Sequence, residues 1–113
     1  MDVRLPAHIE ASALIREVQA GGGFATVLQK GERDAGTILV ILAENGANQR
    51  LYERMPQLDG PRAWSCTRQE NPENPRDFAD YVQRRAAQDR DMWILELDIV
   101  NGERFIAPLA KDD

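Results

Sequence analysis

MWILELDIVNGERFIA, residues 92–107, sets two apolar runs on either side of Asn101-Gly102. Asn-Gly supplies the two positive φ angles that a type I′ turn requires, so the stretch reads as a β-hairpin. Counting back from the turn pairs Val100 with Glu103 and Asp98 with Phe105. Side chains two apart share one face of a strand. Leu95, Leu97, Ile99 and Ile106 then lie together on the face predicted to be buried, with Glu96 and Asp98 on the other.

Upstream, FATVLQK (24–30) and GTILVIL (36–42) are β-branched or apolar runs bounded by turn residues, and read as strands. The second is apolar on both faces, which predicts a central place in the sheet. GERDA between them has the length of a hairpin loop. NGAN (45–48) turns the chain into QRLYERM (49–55), and PQLDGP (56–61) turns it into RAWSCTR (62–68). Four sequential strands with short connections imply an antiparallel meander.

Two helices frame these strands. Ala7, Ala11, Leu14, Ile15 and Val18 make an apolar helical stripe. Pro6 suits its first position, and Gly21-Gly22-Gly23 its end. QENPENP (69–75) interrupts the strands, and Asn74, Pro75 and Asp77 then start a second helix, ending near Asp89. Phe78, Tyr81, Val82 and Ala86 form its apolar face. Residues 1–113 are read as one domain, with a loose tail from Pro108. The expected fold is α+β: a two-layer domain with a mainly antiparallel sheet of five or six strands and two helices on one face. Its element order is α-β-β-β-β-α-β-β. The predicted core includes Phe24, Val27, Ile38, Val40, Leu42, Leu51, Phe78, Val82, Leu95 and Leu97.

Composition excludes several classes of function. Charged residues are 29% and hydrophobic ones 42% of the 113, ordinary for a globular protein. The longest apolar run, Ile38 to Ala43, is far short of the roughly 20 residues of a membrane span. MDVRLPAHIE lacks the basic-then-apolar pattern of a signal peptide, so a cytoplasmic location is expected, away from membranes. Cys66 is the single cysteine, which excludes an intramolecular disulfide and a multi-cysteine metal site. A net charge of −5 disfavours general attraction to nucleic acid.

The residues that could carry chemistry are few. His8 is the sole histidine, with no second imidazole to share a metal site, and reads as a surface or capping residue. Cys66 has no base in its own element and reads as a small hydrophobe beside Trp64. The glycines of GGGF and KGERDAG are in the wrong order for a phosphate loop, which runs strand, loop, helix. The tip of KGERDAG crowds Lys30, Arg33 and Asp34, and exposed tips often carry function. Glu96 and Asp98 read as solvated carboxylates. No cofactor loop, metal cluster or catalytic set is present.

The candidate binding face is Arg50, Tyr52, Arg54, Trp64 and Arg68. Arg50, Tyr52 and Arg54 alternate along one strand, as do Trp64, Cys66 and Arg68 along the next. Such a face can stack nucleic-acid bases on its rings and meet phosphates with arginine. The opposite register, with Tyr52 and Trp64 under a helix, is also open, and large aromatics are core more often than not.

LPAHIEASALIR, GGFATVLQKGERDAGTILV, RLYERMPQLDG and DFADYVQRRAAQDRDMWILELDI resemble domain of unknown function 1491, a family of small alphaproteobacterial proteins. The resemblance covers nearly the whole chain and implies a stand-alone bacterial protein with no assigned activity. It carries over no catalytic residue. The functional expectation is therefore a non-enzymatic interaction or regulatory module, with a protein partner or a second copy as its target and no cofactor. An anion or single-stranded nucleic-acid binder using the Arg/aromatic face is the alternative.

Overall fold

The computed structural model describes residues 5–58, 60 and 62–106. The predicted tail from Pro108, and Asp59 and Pro61 of the 56–61 turn, lie outside the described residues. Helix α1 (Ala7–Ala20) is followed by β1 (Phe24–Gln29), β2 (Ile38–Glu44), β3 (Ala47–Met55) and β4 (Ala63–Gln69). Helix α2 (Pro75–Gln88), β5 (Trp93–Asp98) and the short helix α3 (Glu103–Ile106) complete the order. The fold is α+β, with one five-stranded sheet that is mainly antiparallel, in the order β1-β5-β2-β3-β4.

The single parallel pair, β2 with β5, sits at the centre of that order. Both strands are buried on both faces, as the unbroken apolar run of β2 requires. This placement corrects the predicted β1–β2 hairpin, because β5 lies between those strands and pushes β1 to the edge. GERDA is instead a crossing over the start of β5. Glu32 donates its backbone N–H to the Asp91 carbonyl at 2.8 Å, and Trp93 Nε1–H donates to the Glu32 carbonyl at 2.8 Å. The same loop caps α1, whose first turn has no side-chain cap: the Ala7 and His8 N–H groups donate to the Asp34 and Arg33 carbonyls.

The two long helices, expected on one face, cover opposite faces and make three layers. Ala7, Ala11, Leu14 and Val18 of α1 and Ile106 of α3 pack on Ile38, Val40, Leu42, Leu95 and Leu97. Phe78 of α2 packs on Leu39, Ile41, Leu51 and Ile94, with Tyr81, Val82 and Ala86 beside it. A sheet whose central strands are apolar on both faces must be covered twice.

The hairpin expected at Asn101-Gly102 does not form. Both edges of β5 are already taken, by β1 and β2, so residues 103–106 turn into α3. Asn101 has φ of 56°, but the chain folds back at once, with the Arg104 N–H donating to the Asn101 carbonyl. The other Asn-Gly, Asn45-Gly46, has both φ angles positive and closes the β2–β3 hairpin. Ile106 still joins Leu95, Leu97 and Ile99 in one core, reached by a helix rather than a strand.

Two of the ten predicted core residues are outside it. Phe24 and Val27 are 75% and 42% exposed, because an edge strand buries fewer of its side chains than a central one. The end of α1 follows the sequence closely. The Gly23 N–H donates to the Val18 carbonyl and the Gly22 N–H to that of Gln19, with Gly22 at φ of 92°.

Candidate functional site

β3 carries alternating side chains to two covered faces. Leu51 and Glu53 point toward α2, and Arg50, Tyr52 and Arg54 toward α1 and α3. Arg50 is only 8% exposed, the one charged residue buried among the described residues. Its Nε–H and second amino group donate to both oxygens of Glu103, at 2.8 and 3.2 Å, and its other amino group to the Asn48 carbonyl. Tyr52 Oη–H donates to the same Glu103 carboxylate at 3.0 Å. α3 is thereby tied to the sheet through one acid.

Burial and the Glu103 bond together push the Tyr52 phenol up to about 12. Burial works against the charge of Glu103, yet the hydrogen bonds from Arg50, its own backbone and Tyr52 outweigh it and hold its carboxyl below the usual range. Arg54 reaches α1, where it donates to Glu10, and its guanidinium lies 4.6 Å from the Trp64 ring centroid. Tyr52 and Trp64 are half-buried against the α1-side core.

Arg68 is not part of that group. The β3–β4 register shifts between Leu51 and Tyr52, which pair with Arg68 and Cys66, so Thr67 is a bulge. A bulge reverses the alternation beyond it, and Arg68 faces α2. There it donates to Asp77 at 3.1 Å and lies 4.0 Å from the Tyr81 ring. A second cluster, not foreseen from the sequence, adjoins it. Arg85 donates to both Glu53 oxygens at 2.9 and 3.0 Å and to Tyr81, while Thr67 donates to Glu53 at 2.6 Å. The hydrogen bond from Arg85 chiefly holds the Glu53 carboxyl low, against the effect of burial, with Thr67 assisting.

Of the five candidates, then, the structure brings Arg50, Tyr52, Arg54 and Trp64 together on one face and puts Arg68 on the other. Each of the three arginines meets a carboxylate: Glu103, Glu10 or Asp77. Glu103 and Glu10 lie 53 and 44 residues from their partners and Asp77 nine, all on other elements, so helix or strand spacing held no signal for them. The loop residues Arg33 and Asp34 serve α1 with their carbonyls, and Lys30 precedes them beyond the end of β1. His8 Nδ1 is 3.0 Å from the Arg33 carbonyl. Asp98 accepts the Asn45 and Gly46 N–H groups at 2.7 and 2.9 Å and thus fixes the β2–β3 turn. Cys66 is exposed. Among the described residues no group of three or more His, Cys, Asp or Glu is placed to hold a metal, and no helix is long and apolar enough to cross a membrane.

A different feature stands at the sheet margin. β1 has a neighbour on one side only, and its sequence FATVLQ carries no charge. Phe24, Val27 and Leu28 are exposed along it, and Val100, just beyond β5, is exposed as well. Charge, proline and bulges all blunt edge strands, and β1 lacks the first two. Its one irregularity is a bulge between Val27 and Gln29.

Among curated proteins none matches the chain at a significant level. Solved structures do. The chain is similar to a DUF1491 family protein from Caulobacter crescentus CB15 in a crystal structure, with 33% identity, 96% and 97% of the two chains covered and a TM-score of 0.77. An NMR structure of a DUF1491 family protein from the same organism gives 33% identity, 93% and 94% coverage and a TM-score of 0.76. A solution structure of a protein from A. tumefaciens gives 28% identity, 98% coverage of both chains and a TM-score of 0.73. The model of the DUF1491 family, proteins of unknown function, matches residues 5–107, and the chain belongs to that family.

Proposed function

We propose that this protein is a non-enzymatic interaction module whose contact is the free edge of β1. The observation that carries this reading is Phe24, 75% exposed on an uncharged edge strand. Such an edge offers a row of peptide N–H and C=O groups to one extended strand from another chain. Main-chain bonds supply the attachment, and Phe24 and Leu28 the apolar contact. A second copy is the simplest occupant, because an antiparallel strand pair is self-complementary and β1 brings no like charges together. The chain carries net −5, so two copies meet with less repulsion along a stretch that bears no charge.

The anion or nucleic-acid alternative draws less support. Arg50, Arg54 and Arg68 each already hold a carboxylate, and Arg68 faces away from the other two. The two readings separate in one experiment: hydrogen exchange on β1 amides over a concentration series, with mass measured by sedimentation. Association should raise protection at Phe24–Val27 and persist in high salt. A monomer with unchanged β1 exchange at every concentration would remove self-association as the role of this edge.

A further inference from the structure

The chain has two Asn-Gly pairs, Asn45-Gly46 and Asn101-Gly102, and they stand in opposite electrostatic settings. Asn-Gly is the dipeptide most open to deamidation, because glycine has no side chain to shield its peptide nitrogen. That nitrogen loses its proton and attacks the Asn Cγ, the bond from Cγ to the side-chain nitrogen breaks, and ammonia leaves. A cyclic imide remains. Water then opens the imide at one carbonyl or the other, which leaves aspartate or isoaspartate in the chain. The attack needs an anionic peptide group, so charges and donors beside that group set its rate.

At Asn45-Gly46 the setting opposes the reaction. The Asn45 and Gly46 N–H groups donate to the two Asp98 oxygens at 2.7 and 2.9 Å. The Gly46 proton is thus held by a carboxylate that would repel the anion left by its loss. At Asn101-Gly102 the setting is reversed. The Gly102 N–H has no partner among the described residues. The oxygen of the same peptide group, the Asn101 carbonyl, accepts from the Arg104 guanidinium at 2.9 Å and from the Arg104 N–H at 3.3 Å. When the nitrogen loses its proton, charge moves onto that oxygen, where two donors already point. Glu44 is the nearby acid, but it holds the preceding N–H, that of Asn101, at 3.3 Å, and has Arg50 at 4.0 Å. Asn101 itself is exposed.

We propose that Asn101-Gly102 is a site of spontaneous deamidation, promoted by Arg104, and that the change loosens α3. The product places a new carboxylate beside Glu44. Isoaspartate also adds a carbon to the main chain just before a helix of four residues. The Arg104 and Phe105 N–H groups donate to the Asn101 and Gly102 carbonyls, and those bonds lose their geometry. Glu103 and Ile106 are then left to hold α3 to Arg50, Tyr52 and the core. The site is separate from the β1 edge and stands whether or not that edge binds a partner.

The test incubates the folded protein at neutral pH for weeks and follows tryptic peptides 34–50 and 91–104 by mass spectrometry. Asn101 should gain one mass unit about tenfold faster than Asn45, the factor that one charge-assisted hydrogen bond is worth at a barrier. In urea the two should react alike, since both then depend on their glycines alone. Arg104→Gln should slow the folded-state reaction at Asn101 about tenfold on the same ground. The aged form, separated by anion exchange through its extra charge, should exchange the Phe105 and Ile106 amides faster than the fresh protein. Equal rates at the two sites in the folded protein overturn the proposal, as does an Arg104→Gln variant that ages at the parent's rate or faster. Unchanged exchange at Phe105 and Ile106 overturns the link to α3.

Discussion

Glu53 and Tyr52 are neighbours in β3 that face opposite layers, and their titrations should limit stability at opposite ends of the pH scale. The Glu53 carboxyl is lowered from 4.5 in the folded state, mainly by the Arg85 hydrogen bond. Folding stability from this group is complete above the unfolded value and is lost as pH falls through the lowered one. Tm should therefore drop below about pH 4.5, and Glu53→Gln should flatten that part of the profile. Parallel profiles for the two proteins would show that Glu53 is not a source of acid sensitivity. Tyr52 has the opposite sign. Its phenol is raised from 10.0 to about 12, so its contribution is complete below pH 10 and is lost as pH rises toward 12. In a Tyr81→Phe background the ultraviolet phenolate titration should report the one remaining phenol near that value. Tyr52→Phe should cost about 1 kcal/mol at neutral pH in a urea melt, and less loss of stability than the parent between pH 10 and 12.

The elements show where tight packing replaces regular pairing. The 30–37 crossing holds α1, β1 and the start of β5 together, and it does so at van der Waals contact. A Cβ on Gly31 would stand 2.3 Å from the Asp91 carbonyl oxygen, with the Met92 carbonyl carbon and Trp93 nitrogen at 2.7 Å. Those are backbone atoms, so neither side can swing away. Gly46 differs: its φ is +78°, but nothing lies within 4 Å of a Cβ there. Gly46→Ala should cost about 1 kcal/mol, the left-handed penalty alone. Gly31→Ala should cost more, about 3 kcal/mol, as overpacking does. Denaturant midpoints of the two variants compare them directly, and equal losses would mean that the crossing yields where the geometry says it cannot. The helices themselves were legible. Pro6, the three glycines and the Asn74-Pro75 start mark ends through local dihedral preferences, and the structure has them at those places, although the α1 start is also capped by the distant Arg33 and Asp34 carbonyls. The bulge at Thr67 was not legible, since an extra residue in one strand leaves no trace until its partner is known.

For the whole molecule, one consequence concerns assembly. Phe24→Lys places a charge on the free edge of β1, and a pair of such edges would bring two like charges together. The variant should stay monomeric at concentrations where the parent associates, with an unchanged Tm because Phe24 is exposed. If both associate alike, the contact lies elsewhere. High salt should leave the parent association standing, since a contact made of backbone bonds and apolar side chains releases few counterions. The sequence by itself determined the α+β class, the order of elements as far as β5, both helix ends and most of the core. These follow from periodicity, β-branching and turn chemistry, which act over a few residues. Tertiary structure decided the rest. β5 had to find a place buried on both faces, and it took the one beside β2 that a β1–β2 hairpin would have filled. That choice exposed Phe24 and turned residues 103–106 into a helix. It also covered both faces of β3, so the arginines near Tyr52 and Trp64 meet acids on other elements. Pairing between distant segments is settled by which arrangement buries the most apolar surface at once, and no local stretch of sequence contains that comparison.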